Sequence, residues 1–305
     1  MLNHDESYTT EELARILKVS KLTVYDLIKK GELQAYRVGR QMRVDRSELE
    51  NYKLRQKEGK VMNLPLNNQI NKASQQASPS IVICGQDNSL DLLTRELGLA
   101  SLRSQVGSLD GLMSMYQGKS HIVSTHLFDG ETNSYNLPYI RRILVSHSFV
   151  VIRFIKRQAG LYVAKGNPKK VTGWKDFSRH DLRLVNREKG AGARVLLEEQ
   201  LRLHGIQRHS IKGFHDVQTS HLGVASTISS GKADVGVGIK HTAKMANIDF
   251  IPMINENYDL VVTKNEETSA LIDRLLHILS QPAFQEKLLG LHYEIDGIGQ
   301  IIYEQ

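Results

Sequence analysis

Residues 8–52 read YTTEELARILKVSKLTVYDLIKKGELQAYRVGRQMRVDRSELENY. Thr10 is placed to cap a helix whose apolar positions Leu13, Ile16 and Leu17 share one face, with Glu11 and Glu12 in the first turn, where carboxylates suit the helix dipole. Val19 and Ser20 interrupt the pattern. Ser20 is placed to cap a second helix with Val24, Leu27 and Ile28 on its buried face. A turn of about three residues between two such helices is what a helix-turn-helix requires. Gly31 ends the second helix, and LQAYRVGRQMRV alternates apolar Leu33, Ala35 and Val38 with polar residues around a turn at Gly39 and Arg40, the pattern of a two-stranded wing. Asp45 and Ser47 then precede a third helix, SELENYKLRQ.

Between Ser20 and Arg46 stand seven basic residues against three acidic ones, in a chain of net charge +7. The excess lies on the two elements that would meet a duplex. In a helix-turn-helix the N-terminal residues of the second helix reach base edges, and basic wing residues meet phosphates or the minor groove. The candidate DNA-binding residues are therefore Ser20, Lys21, Thr23, Tyr25, Lys29, Arg37, Arg40, Gln41 and Arg43, with the three arginines expected to cluster on the wing. The competing reading is a protein-binding three-helix module whose charges form a solvated face. A module of this size makes few phosphate contacts, so two copies per assembly, a homo-oligomer, are expected.

The stretch resembles the excisionase-type, MerR-like winged helix-turn-helix, whose pattern T-x-x-E-x-A-x-x-L-x-V-S-x-x-T-V-Y, then G-E-L and R-V-G-R, runs through these residues. The resemblance implies double-stranded DNA as a partner. Asp26 departs from it, standing where a basic or amide residue is usual; an acid there repels phosphate or accepts from a cytosine amine.

Outward from this module, residues 57–79 are rich in Asn, Gln, Ser and Lys without sustained periodicity and read as a linker. The expected division is a DNA-binding domain over 1–56, a linker over 57–79 and a ligand-sensing domain over 80–305. The whole chain has 305 residues, 40% hydrophobic and 24% charged, with no apolar run of membrane-spanning length. Its first residues, MLNHDESYTTEE, have neither the basic nor the apolar region of a secretory leader, and the single cysteine, Cys84, forms no internal disulfide. A cytoplasmic location, with no membrane partner, is expected. Cys84 lies in an apolar run and reads as a buried strand residue.

From Ser80 onward short β-branched runs alternate with amphipathic segments: SIVICG, LDLLTRELGL, HIVSTHLF, FVVIRF, GLYVA, LRLVN, ARVLLEEQLRLHG, ADVGVGI, FIPMI, DLVVT and LIDRLLHILSQPAFQEKLLG. The alternation implies an α/β domain with a mostly parallel sheet and a long final helix over 269–289. Such sheets bind ligands where strands give way to loops. Three junctions stand out. After SIVICG, Asp87, Asn88 and Ser89 either cap the next helix or touch a ligand. The loop after HIVS is polar, with Thr125, His126 and Asp129 as candidates. In VNREKGAGARVLLEEQL a Gly-rich turn leads into a helix, so Lys189, Gly190, Ala191, Gly192, Ala193 and Arg194 form a candidate anion cradle of backbone amides and charge; a connector without a ligand is the plain alternative. His204, His209, His215, His221 and His241 lack ligand spacing and read as surface or capping residues. No metal site, cofactor, nucleophile with its base, or paired carboxylates of recognisable spacing is found.

The segments THLFDGETNSYNLPYIRR, VNREKGAGARVLLEEQL and TSHLGVASTISSGKADVGVGIKHTAKMANIDFIPMINENYDLVV resemble the periplasmic-binding-protein-like domain found fused to such helix-turn-helices and in molybdopterin-biosynthesis-like proteins. The resemblance implies two α/β lobes around a cleft, roughly 155–240 forming one and its flanks the other, with Tyr258 near the hinge. It also implies a small ligand, in some relatives an oxyanion such as molybdate or tungstate. Where the family carries a Gly-Ser-Gly-Thr-Arg type turn, this chain has Gly190, Ala191, Gly192, Ala193 and Arg194, without two hydroxyl donors. The fold class is thus an N-terminal α-rich winged helix-turn-helix plus a C-terminal α/β two-lobed periplasmic-binding-protein-like domain. The expected function is a ligand-responsive, non-enzymatic transcriptional regulator. The alternatives are a molybdenum-cofactor-related enzyme with a DNA-binding appendage, or an excisionase-like accessory protein that has lost its ligand.

Overall fold

The computed structural model describes residues 7–29, 33, 35–39, 41–46, 48–49, 52–53 and 81–305. Arg40 and the linker 57–79 lie outside them, as do Gly31, Ser47 and most of the third helix. Contacts between backbones divide the chain into two compact units, 1–75 and 76–305.

In the first unit, β1 (Ser7–Thr9) leads into α1 (Thr10–Leu17), α2 (Lys21–Lys29), and the hairpin β2 (Tyr36–Val38) and β3 (Gln41–Asp45). The helix cap is Thr9 rather than Thr10. Its hydroxyl accepts from Glu12 N, and the Glu12 carboxylate accepts from Thr9 N at 2.8 Å, so both ends of a capping box are closed. Thr10 is instead buried in the first turn. Leu13 and Val24 pack with Leu33, Val44 and Leu49, and Leu17, Leu27 and Ile28 close around them. Ile16, expected on this face, is exposed; Ala14 takes its place. β1, not foreseen from sequence, pairs antiparallel with β3 and makes the hairpin a three-stranded sheet in the order β1-β3-β2.

The second unit begins with β4 (Ile81–Cys84), α3 (Ser89–Leu97), β5 (Ser101–Ser104), α4 (Ser108–Tyr116) and β6 (Ile122–Thr125), whose strands pair in parallel as β6-β4-β5. A small hairpin, β7 (Phe128–Asp129) and β8 (Ser134–Tyr135), precedes α5 (Leu137–Ile143) and the long strand β9 (Phe149–Val163). Then come β10 (Asn186–Arg187), α6 (Gly192–Leu203), β11 (Val217–Gln218), α7 (His221–Ser229), β12 (Val235–Ile239), α8 (Lys240–Met245) and a second long strand, β13 (Asp249–Thr263). α9 (Glu266–Ser280), α10 (Pro282–Gly290) and β14 (Ile301–Glu304) complete it.

The large sheet runs β12-β9-β13-β6-β4-β5, with β14 also on β9. It is not mostly parallel: β9 pairs antiparallel with β12, β13 and β14, and β13 antiparallel with β6. The reason is continuity. FVVIRF and GLYVA are one 15-residue strand, FIPMI and DLVVT another, and together they form a ribbon crossing the domain twice. Only the βαβ crossovers near β4 require parallel pairing. β9 is buried along almost its whole length because both faces are covered, which gives its near-continuous apolar run. LRLVN yields only the short β10, with Leu184 bridging Val235 alone. The final helix is two: Pro282 lacks an N–H and holds Gln281 extended (ψ 124°), so α9 stops there and α10 starts anew.

Separate apolar cores define two lobes. Ile83, Leu90, Leu93, Leu260, Leu271 and Leu275 belong to the flanking lobe; Leu161, Leu184, Leu196, Leu197 and Val237 belong to the middle one. Cys84 is a buried strand residue of the flanking lobe. The lobes are joined where β9 and β13 pass through residues 155–158 and 255–258, with a register shift between Tyr258 and Asp259.

Candidate functional site

In the first unit the sequence places a second cap at the entry to α2. Ser20 Oγ accepts from Thr23 N at 3.1 Å and lies 2.8 Å from Thr23 Oγ1, so both residues fix the start of the helix. Lys21, Thr23, Tyr25 and Lys29 are exposed along α2; Lys21 pairs with Glu11 of α1. Leu22 is also exposed, at 77%. On the hairpin, Arg37 and Gln41 are exposed. The described wing arginines do not cluster. Arg37 is register partner to Met42 and Arg43 to Tyr36, and since cross-strand partners share a face, Arg37 and Arg43 lie on opposite faces. Arg43 is half-buried and donates to Ser7 Oγ at 3.0 Å, tying β1 to the hairpin. Arg40 lies outside the described residues.

In the second unit a cavity of about 210 Å³ lies between the lobes. Its floor is the crossing ribbon. Arg157 and Glu256 are direct cross-strand partners and pair through their side chains, while Arg157 also pairs with Asp87, brought in by the loop after β4. All three are buried. The guanidinium carbon stands 4.5 Å from the centroid of Tyr258, whose hydroxyl lies 2.7 Å from Ser124 Oγ. Asp87 accepts further from Ser89 N at 2.8 Å and from Tyr293 Oη at 2.7 Å, and Glu256 lies 3.2 Å from His126 Nδ1. Burial by itself would raise both carboxyls. Burial is the largest single effect, but Arg157 together with the hydrogen bonds from Ser89 and Tyr293 outweighs it at Asp87, and Arg157 together with His126 outweighs it at Glu256, so Asp87 is held below its ordinary range and Glu256 falls to about 2.

The walls come from helix starts. Asn88, Gly107 and Ser220, the N-caps of α3, α4 and α7, all line the cavity; of their first-turn N–H groups, Ser89 N donates to Asp87, Leu109 N to Gly190 O and Gly223 N to Ser220 Oγ. Helix N-termini present N–H groups and the positive end of the dipole. Arg187 enters from the middle lobe, buried, donating to Gln86 Oε1 of the flanking lobe at 2.6 Å and to Glu188 at 2.8 Å. His221 also lines the cavity; burial first, then Arg187 and Arg157, hold its pKa well below the ordinary imidazole value, so it is neutral. The Nδ1 atoms of His221 and His241 are buried without a protein partner.

Of the sequence candidates, Asp87, Asn88, His126 and Tyr258 line this cavity. The others do not. Ser89 is occupied with Asp87, Thr125 donates to Asn136, and Asp129 holds its own turn through Glu131 N and Thr132 Oγ1. Lys189 is exposed. The Gly-rich turn is a packing junction: a Cβ on Gly190 would meet the Asp110 carboxyl at 2.8 Å, and one on Gly192 would meet the His126 ring at 2.4 Å. Ala191 and Ala193 are buried, Ala193 in the core of the middle lobe, and Arg194 donates to Arg187 O at 3.0 Å and to Glu198 at 2.9 Å. Missed from sequence were Arg157, Arg187, Tyr293, His221 and His241. The only signal for Arg157 is the short polar interruption Lys156, Arg157 and Gln158 between two apolar runs; the histidines, read as surface or capping, take their place from the meeting of the lobes.

Comparison with known proteins agrees with this architecture. Residues 7–57 match a helix-turn-helix domain family and residues 90–280 the PBP superfamily domain. YvgK of Bacillus subtilis is 48% identical over a 313-residue alignment covering 99% of this chain and all of YvgK. A Clostridium pasteurianum protein encoded in the 5′ region of a 2Fe-2S ferredoxin gene is 38% identical over 112 residues, 36% of this chain and 99% of its own. Among solved structures, a phosphate ABC-transporter substrate-binding protein of Clostridium perfringens with bound phosphate superposes with a TM-score of 0.50 at 14% identity, over 70% of this chain and 98% of that one. Peroxide-bound OxyR of Corynebacterium glutamicum does so at 0.50 and 12% identity, over 93% and 90%. At such identities the likeness is one of fold. With a helix-turn-helix domain at its N-terminus and a mixed α/β unit whose matched stretch fills most of the remainder, the chain belongs to the PBP superfamily.

Proposed function

We propose that this protein is a DNA-binding transcriptional regulator whose affinity for its operator is set by a small anion in the cleft of the second unit. In this reading residues 1–56 bind the duplex, 57–79 are the tether and 80–305 the sensor. The observation that carries it is the convergence of three helix N-termini, Arg187 and two partnerless imidazole nitrogens on one cavity. The side-chain charges around Arg157 do not cancel: Asp87 and Glu256 together leave one negative charge in excess at the floor, all of it tied up in pairs with the guanidinium. An anion is therefore received at the walls rather than at the floor, where the helix starts present their positive ends and Arg187 projects from the middle lobe. An oxyanion such as molybdate or tungstate is supported by that field and by the hydroxyls of Ser108, Ser124 and Ser220 on the lining, but not by the Gly190–Arg194 turn. On the DNA side, Lys21, Thr23 and Tyr25 supply the exposed face of α2 and Arg37, Arg40 and Gln41 the wing, with paired heads on one site.

The test is fluorescence anisotropy of the full chain on duplexes from the region upstream of its own gene, at moderate ionic strength, with and without molybdate, tungstate, phosphate and sulfate. Reversing Arg37 and Arg40 to Glu should weaken binding by roughly tenfold or more, because each lost phosphate contact removes a counterion-release contribution. Unchanged binding by that variant rejects the DNA reading. Equal affinity under every anion, with DNA binding intact, rejects the sensing part alone.

A further inference from the structure

We infer that the ligand is an elongated organic di-anion whose second acidic group rests on Lys240 and Lys244, outside the cavity already described. This rests on the anion reading of the cleft and narrows it. A second cavity, of about 300 Å³, adjoins the first and shares Arg157, Ile239, His241 and Tyr293 with it. A tetraoxyanion of five heavy atoms fills only part of the first chamber, at ~30 Å³ per water-sized group. The second lies at the lower end of the ~300–1,000 Å³ common for organic ligands.

The lining of this second chamber is built for charge and for a flat body. Lys240 and Lys244 lie four residues apart on α8 and so share a face, both exposed, and neither has a carboxylate partner among the described residues. Two like charges at that spacing repel, and an anion between them relieves the repulsion. Glu294 is the one acidic residue on the lining, and it lies on the flanking lobe. Between the lysines and the first cavity, His241 of the middle lobe faces His292 of the flanking lobe, ring centroids 6.3 Å apart and tilted by 50°. His292 is held at φ 63°, a left-handed conformation that side chains rarely adopt and that is retained where surrounding contacts demand it. His241 lines both chambers, so a ligand passing from one to the next runs along its ring.

The test is titration calorimetry of the full chain with inorganic phosphate, phenyl phosphate and 4-carboxyphenyl phosphate. The carboxylated compound should bind roughly tenfold more tightly than phenyl phosphate, the scale of two exposed ion pairs. In the Lys240→Ala, Lys244→Ala double variant, whose changes are at exposed positions, the two organic phosphates should bind alike. Equal binding of the two by the unaltered chain, or a preference that survives in the double variant, overturns the di-anion while leaving an anion cleft standing. Absence of binding by all three overturns both.

Discussion

Replacing Arg157 by Met keeps the stem of the side chain and removes the one cation that Asp87 and Glu256 share. Both carboxylates are buried and would be left uncompensated. Breaking a buried pair by deleting one partner costs about 3–5 kcal/mol, and with two orphaned charges the upper part of that range applies. For a unit of this size, ~2–4 °C are lost per kcal/mol, so a loss of about 4–5 kcal/mol should lower the melting temperature by roughly 8–20 °C. The pH dependence should change sign. In the unaltered protein Glu256 lies at about 2 and Asp87 below its ordinary value, so their contribution is fully present at neutral pH and fades only as the pH drops below the unfolded value near ~4 toward 2. Without Arg157, burial dominates and raises both carboxyls; protonation then favours the fold, and the variant should regain stability as the pH is lowered from 7 to 5.

Urea unfolding at pH 7 and pH 5, followed by circular dichroism, reads both effects. Adding Asp87→Asn and Glu256→Gln to the variant should restore at least half of the loss at pH 7, since no buried charge then lacks a partner. A loss below about 1 kcal/mol, or a variant whose stability changes between pH 7 and 5 just as the unaltered protein's does, refutes the assignment of Arg157 as the group that permits these carboxylates at the cleft floor.

Two further outcomes follow from the same geometry. Asp259 is buried beside Arg153 and Asn136, and burial outweighs both neighbours, raising its pKa to about 6; its contribution to stability is therefore complete below about 4 and lost as the pH rises through 6. Asp259→Asn should flatten that part of a stability–pH curve measured from 4 to 7, and an unaltered slope contradicts it. A Cβ at Gly107 would stand 2.7 Å from the backbone of Gly190 in the other lobe, so Gly107→Ala should weaken phosphate binding by roughly tenfold in calorimetry, the cost of overpacking a rigid contact of about 1–3 kcal/mol, and lower the melting temperature of the free protein by a few degrees as the rim bonds are lost.

How much of this was legible in the sequence depended on the range of the interactions. The first unit is governed by local chemistry: Ser20 as a cap, the 3.6-residue apolar spacing and the turn at Gly39 all act within a few residues, and they read correctly. The exceptions were one-residue or sheet-level effects, such as Thr9 rather than Thr10 and the added strand β1. In the second unit the elements were visible but not their union into two long strands, because FVVIRF and GLYVA are separated by polar residues that look like a break. Those polar residues, Lys156, Arg157 and Gln158, are where the ribbon passes between the lobes. The feature that obscured the strand in the sequence is the floor of the site. Likewise the Gly-rich turn after Asn186 looked like an anion cradle from local pattern alone, whereas its glycines answer to Asp110 and His126, residues about 65–80 positions away that no local reading could place beside it.

The rim of the cleft also bears on how a bound ligand can act. The polar contacts from lobe to lobe at its mouth, among the described residues, are Gln86 with Arg187 and Glu188, and Leu109 N with Gly190 O at 3.0 Å. At about 0.5–1.5 kcal/mol each, such bonds contribute roughly 2–4 kcal/mol to keeping the rim together. A ligand that binds only when both walls are in place adds ~2.7 kcal/mol at a hundred times its dissociation constant. The two quantities are of the same size. An equilibrium between joined and separated walls is thus within the reach of an ordinary metabolite concentration, provided the ligand touches both lobes. A molecule held by the α3 and α4 starts alone would bind without shifting it, because only differential affinity moves a conformational balance. Arg187 and His221 on one side and Asn88 and Gly107 on the other meet that requirement within a single cavity.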